Sequence, residues 1–218
     1  MHKIQATTLH QEVANQIRGM IRNGILVKGQ KIDEKHLCES MGVSRTPVRE
    51  SLRILSSEGL IDLIPNRGAY ISQPPIKEIS DMFEVMSVLE GTCARLATKK
   101  MTEKNFRKIE ALHQKLEKHY RNRDHKAYLD NNNTYHVFIQ ELSGNKVLND
   151  VINGLRQKIL LYRHRQLYQP ERFEQSIQEH RGLLEAFRKR DAALAERLMK
   201  RHLNKQCEAL VGLYEKNS

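Results

Sequence analysis

Two sets of side chains in this sequence could do chemistry. Arg45, Arg49 and Arg53 recur at four-residue spacing, which places successive guanidinium groups on one face of a helix. A guanidinium is a planar fork of N–H donors that matches guanine O6 and N7 with two hydrogen bonds. The second set is rich in imidazole. Asn132 and His136 are also four apart, and His180 and His202 follow on two later helical segments. Three imidazoles and one side-chain oxygen gathered inside a helical bundle would form a site for a divalent metal ion. The chain holds ten histidines, so spacing alone leaves open a chance gathering.

The elements that must position the arginines can be read from caps, apolar spacing and turn residues. Thr8 is a candidate N-cap for a first helix whose apolar face is Leu9, Val13, Ile17, Met20 and Ile21, ending at Gly24. Residues 27–32 read as a short extended link. Asp33 caps a second helix that stops at Gly42, and Ser44 caps a third, with Pro47 in its first turn and Gly59 at its end. Residues 60–64 and 69–73 then read as two strands joined by a hairpin turn at Pro65-Asn66-Arg67-Gly68. Helix, turn, helix, hairpin is the order of a winged helix-turn-helix. Once Val48, Leu52 and Leu55 face inward, Arg45, Thr46, Arg49 and Arg53 face out. Arg45, Thr46 and Arg49 lie at the N-terminal end of the third helix, the part that enters the major groove. Thr46 could bond a phosphate or meet a thymine methyl. Lys35, early in the second helix, could reach a backbone phosphate, and Arg67 and Gly68 at the hairpin tip could approach the minor groove. Arg53 is equally well explained as solvated charge.

Gln73-Pro74-Pro75 interrupts the pattern and divides a DNA-reading domain, 1–75, from an all-α domain, 76–218. Helices are expected near 76–100, 103–122, 125–142, 145–167, 171–189 and 191–215, with Ser143-Gly144-Asn145 as a stop and restart and Asp191 as an N-cap. Short connections force neighbouring helices to reverse, so the expected fold is mainly α, with a winged helix-turn-helix followed by an antiparallel α-helical bundle.

The net charge of +11 favours polyanionic partners, nucleic acid first and an acidic membrane surface second. Three cysteines, without a CxxC pair, make a disulfide framework or a cysteine-based zinc site an unsuitable reading and fit a reducing cytosol. No apolar run reaches the length of a membrane span or a signal peptide, and the expected location is cytoplasmic.

At Val43-Ser44-Arg45-Thr46-Pro47-Val48-Arg49-Glu50-Ser51-Leu52, then Glu58-Gly59-Leu60-Ile61 and Asn66-Arg67-Gly68-Ala69, the sequence closely resembles the DNA-binding domain of the GntR family of bacterial regulators, over residues 8–72. The resemblance implies that Lys35, Arg45, Thr46 and Arg49 contact DNA and that Gly68 lies near the minor groove. Ser44 and Arg67 complete the candidate interface. Further on, Asn132-Asn-Thr-Tyr-His136, Ser143-Gly-Asn, Glu179-His180 and His202 resemble the FCD effector domain of the FadR-type branch, over residues 76–215, and the helix count suits its shorter VanR-like form. In that branch Asp-x-x-x-His and two later histidines bind a metal such as zinc or nickel, which helps hold a carboxylate effector. This implies metal ligands at Asn132, His136, His180 and His202. Two departures stand out. Asn132 replaces the usual Asp, a weaker ligand that leaves the cation less neutralised. Glu84-Val85-Met86 lacks the arginine of a common Glu-x-Arg phrase, so Arg163 and Arg165 become the candidates for effector binding.

The expected protein is therefore a regulator that represses a metabolic operon as a homodimer on double-stranded operator DNA, with affinity tuned by a small-molecule effector, an organic acid among the candidates. A metal-dependent hydrolase fits poorly, because no carboxylate is placed as a general base and the DNA reader would be idle. The alternative is an architectural nucleic-acid binder that takes no ligand.

Overall fold

Three amphipathic helices and a hairpin build the reader. In the computed structural model, which describes residues 8–22, 24–163 and 169–215, these are α1 (Leu9–Arg22), α2 (Glu34–Met41), α3 (Arg45–Ser57), β1 (Ile61–Ile64) and β2 (Gly68–Ile71). α1 buries Val13, Ile17 and Ile21 and packs on α3. Asp33 caps α2 by accepting a bond from the His36 amide at 3.0 Å. Gly42 ends α2 at φ +65°, a left-handed conformation that glycine adopts without penalty. Ser44 has the extended backbone of an N-cap, but its hydroxyl makes no capping bond. Thr8 likewise turns its hydroxyl to the His10 ring, at 2.9 Å. β1 and β2 pair antiparallel from Ile61↔Ile71 to Ile64↔Gly68. The extended link before α2 adds to this sheet, because the Gly29 and Ile32 amides donate to Ile71 and Ala69 carbonyls at 2.9 and 2.8 Å.

The second unit contains α4 (Ile76–Lys99), α5 (Glu103–Arg121), α6 (His125–Ser143), α7 (Lys146–Arg163), α8 (Pro170–Arg188) and α9 (Ala192–Glu215). Its limits within the chain are Pro75–Ser218, against Met1–Pro74 for the reader. The other helix ends of this unit fall within one residue of the expected positions, whereas α7, expected to run to 167, is described to Arg163. Thr102, Asp124 and Asp191 accept capping bonds. Gly144 closes α6 at φ +62°, and Asn145 Oδ1 opens α7 by accepting from the Leu148 amide at 3.1 Å.

α4 packs on α9, α6 and α7, α5 packs on α6 and α8, and α8 packs on α9. The helices α4, α6, α5, α8 and α9 thus surround a core that buries Phe83, Met86, Tyr128, Tyr135, Ile177 and Phe187. Polar groups are buried in the same core, namely Glu90, Asn132, His136, His180, His202 and Gln206. Burying so many polar groups is unfavourable unless they bind one another or a ligand.

His113 on α5 is a separate case. It is buried, with Nε2 3.8 Å from Glu117. Burial lowers its pKa, Arg181 and Arg188 push the same way, and Glu117 and Glu110 oppose them. A histidine harder to protonate folded than unfolded leaves stability intact above the unfolded value, about 6.5, and drains it as pH falls below that value. The urea midpoint is therefore expected to fall between about pH 7 and pH 5.5. His113→Gln should flatten that decline, and an unchanged slope in the variant would remove His113 as a cause.

Candidate metal centre and nucleic-acid interface

The four expected metal ligands come together. Asn132 and His136 on α6, His180 on α8 and His202 on α9 are all buried. One nitrogen from each of the three imidazoles lies within 4.8 Å of the others. Ring centroids are 5.5 Å apart for His136 and His180, 4.7 Å for His180 and His202, and 5.2 Å for His136 and His202. His180 Nε2 is 2.6 Å from Asn132 Oδ1.

Two buried carboxylates, which the sequence reading did not assign to the site as supports, sit behind this cluster. His136 Nδ1 is 2.6 Å from Glu90 Oε2, and Arg156 donates to Glu90 Oε1 at 2.6 Å. His202 Nδ1 is 2.6 Å from Glu179 Oε2, and the Arg172 fork grips Glu179 at 2.9 and 3.3 Å. The result is two parallel Arg–Glu–His chains. A carboxylate that accepts the Nδ1 proton fixes the tautomer, orients the ring and makes Nε2 a better donor to a metal. Each arginine offsets the cost of burying its carboxylate. For Glu179, burial still pushes the carboxyl upward while Arg172 and Lys205 pull it down. Burial also drives the His180 pKa well below the usual histidine range, and the positive forms of His202 and His136 add to this. Metal ligation needs neutral imidazole. Three such rings with a carboxamide oxygen fit a borderline divalent cation such as zinc or nickel.

Gln206, one turn beyond His202 on α9, presses its carboxamide against His202 Nε2. The i, i+4 spacing was visible in the sequence, but nothing there marked this glutamine off from surface ones. Met86, the position at which the resemblance leads to the expectation of an arginine, is buried in the core. The buried guanidinium beside Glu90 comes from Arg156 on α7 instead. Arg163 ends α7, and its side chain, together with Arg165, lies outside the described residues.

In the reader unit, Val48, Leu52 and Leu55 are no more than 1 % exposed. Arg45, Thr46, Arg49 and Arg53 are exposed on the opposite side of α3, and Ser44 is exposed at its start. Arg49 Nε donates to Glu34 Oε2 at 3.0 Å. Arg53 is held by Glu50 at 2.8 Å. Lys35 is exposed and 3.9 Å from Glu39. Asn66, Arg67 and Gly68 form the exposed hairpin tip, with Gly68 at φ +101°. No helix among the described residues is long and apolar enough to cross a membrane.

Comparisons with known proteins follow this division. Residues 9–71 match the model of the bacterial regulatory proteins of the gntR family, and residues 81–205 match that of the FCD domain. The chain is 26 % identical over 210 residues to the uncharacterized HTH-type transcriptional regulator YdhC of Bacillus subtilis, covering 96 % of this chain and 94 % of that one. It is 26 % identical to the HTH-type transcriptional repressor RspR of Escherichia coli, covering 96 % and 92 %. It is 25 % identical to the Glc operon transcriptional activator of Escherichia coli, covering 88 % and 84 %. Among solved structures, Escherichia coli McbR/YncC shares the fold with a TM-score of 0.82 at 22 % identity, covering 96 % of this chain and all of that one. A reader that matches one model and a helical domain, more than half the chain, that matches the other show that the protein belongs to the GntR family of bacterial transcription regulators, in the group that carries an FCD domain.

Proposed function

We propose that this regulator is a dimeric repressor of a metabolic operon. Its α3 helices read the operator, and its helical domains bind a divalent metal, zinc or nickel, together with an organic acid. The observation that carries the reading is the division of α3 into a buried apolar face and an exposed face bearing Arg45, Thr46 and Arg49. In this reading Arg45 and Arg49 grip base edges, and Thr46, Ser44 and Lys35 hold phosphates. Arg67 and Gly68 approach the minor groove. Asn132, His136, His180 and His202 hold the metal, which when bound supplies positive charge to retain the acid. Arg156 holds Glu90, and Arg172 holds Glu179, so that His136 and His202 keep their orientation. Arg163 and Arg165 remain the proposed contacts to the effector. In this reading the protein acts on operator DNA in the cytoplasm.

The homodimer is proposed to form through the outer sides of α4 and α7. These two helices pack together and expose Val85 (49 %), Val88 (50 %), Val147 (75 %) and Val151 (50 %). Exposed valines on two packed helices are apolar surface that a partner could cover, and two half-sites require two readers. Val88→Asp combined with Val151→Asp should convert the dimer to monomer by light scattering and weaken operator binding. A dimer of unchanged stability would exclude this face.

Gel-shift titration on the promoter region of the protein's own gene, with and without nickel or zinc and a panel of small organic acids, tests the function. Sequence-specific retention that the metal and one acid alter together is expected. Retention that ignores sequence and every added ligand would favour the architectural alternative.

A further inference from the structure

Asn132 stands one helical turn before His136 on α6, and Gln206 stands one turn after His202 on α9. The two carboxamides each touch a different imidazole of the cluster. Both are 3 % exposed. Each lies against an imidazole nitrogen, Asn132 Oδ1 on His180 Nε2 at 2.6 Å and Gln206 on His202 Nε2. Because Glu179 holds His202 Nδ1, Nε2 is the atom that ring presents to the centre. Leu203 and Leu210 are buried on the same helix, so a leucine at position 206 would pack there without the cost of burying an amide. The amide, one turn after His202, reaches that ring's ligand nitrogen.

We propose that Gln206 is a fifth protein ligand of the metal. Rotation about its last side-chain bond exchanges the amide nitrogen and oxygen, and with a cation bound Oε1 turns inward. The proposal rests on the metal-centre reading above and adds a donor to it. Three imidazoles and two carboxamide oxygens are all neutral, so the protein offsets none of the cation's charge. Five donors also exceed the four of a closed structural zinc site. Such a set suits cations that accept five or six ligands, and it strengthens the attraction for an anion at any position left open.

The test uses the full-length protein, its Gln206→Ala and Gln206→Glu variants, and Co(II), Ni(II) or Zn(II) alone. Affinity is read by competition with a chromophoric chelator, and coordination number by the visible spectrum of bound Co(II). Gln206→Ala should weaken binding about tenfold, at the low end of what altering a metal's protein surroundings costs, and should intensify the Co(II) bands as a ligand is lost. Gln206→Glu, similar in size and now charged, should bind more tightly than the wild type. Wild-type affinity and spectrum in Gln206→Ala would overturn the fifth ligand and leave the histidine centre standing. Tighter binding in Gln206→Ala would overturn it too, since the amide would then compete with the cation. A wild-type protein that binds none of the three ions would overturn the centre and this ligand together.

Discussion

Arg45→Ala and Arg49→Ala should each weaken specific operator binding by about 1–3 kcal/mol per half-site, or about 2–6 kcal/mol for a dimer on two half-sites. Neither side chain contributes to the buried face of α3, which consists of Val48, Ser51, Leu52 and Leu55, so the unfolding transition should hardly move. Arg49→Lys is the sharper variant. It keeps the charge but loses the planar fork that Glu34 orients through Nε. Binding to random duplex should therefore persist while discrimination falls. Lys35→Ala should behave differently. A lost phosphate contact weakens binding to all sequences alike and lowers the salt dependence by about one unit per site. Anisotropy titrations at several salt concentrations separate the two patterns. A salt-slope change without loss of discrimination in Arg49→Lys would demote Arg49 to a phosphate contact.

His180→Gln should abolish metal-induced stabilisation. In the wild type, free metal at about 100 times its dissociation constant adds about 2.7 kcal/mol, or about 5–11 °C in Tm for a chain of this size. His180 sits fully buried between His136, His202 and Tyr135, so its loss removes one of the three imidazoles from the centre. Asn132→Asp should move the other way, since a carboxylate neutralises part of the cation's charge and binds it more tightly. Differential scanning with and without nickel or zinc reads both. A His180→Gln protein that still gains the full wild-type shift would remove the histidine cluster from the metal account.

Local signals in the sequence predicted local structure well, and long-range partners badly. Asp33, Gly42, Gly144, Asn145 and Asp191 act within one turn of themselves, and the helices start or end where those residues say. The outward arginine row followed from the inward valine and leucines, because a helix has only one set of faces. Ser44 takes the N-cap position of α3 as expected, but its hydroxyl makes no capping bond, which shows that a favourable residue type does not fix a rotamer. The convergence of Asn132, His136, His180 and His202 came from a family resemblance rather than from spacing. The supports behind it were not visible at all. Glu90 is 46 positions from His136 and 66 from Arg156, and only the packing of α4 between α6 and α7 joins them. The arginine missing at Met86 directed attention to Arg163 and Arg165, whose side chains lie outside the described residues, and left unnoticed Arg156, two turns before Arg163 in α7, and Arg172, both buried against the carboxylates behind the cluster. Gln206 was overlooked for a similar reason, since a glutamine on an amphipathic helix reads as surface until its burial is known.

The most direct test of the central claim, that the exposed guanidinium row of α3 reads operator sequence, is one comparison at fixed salt. The wild-type protein and the Arg45→Ala/Arg49→Ala double variant are each titrated against the promoter region of the protein's own gene and against a scrambled duplex of equal length and composition. The wild type should prefer the promoter by about a thousandfold or more, and the double variant should bind both duplexes at the wild type's scrambled-duplex level. A double variant that keeps the wild-type preference, or a wild type that has none, would contradict the account.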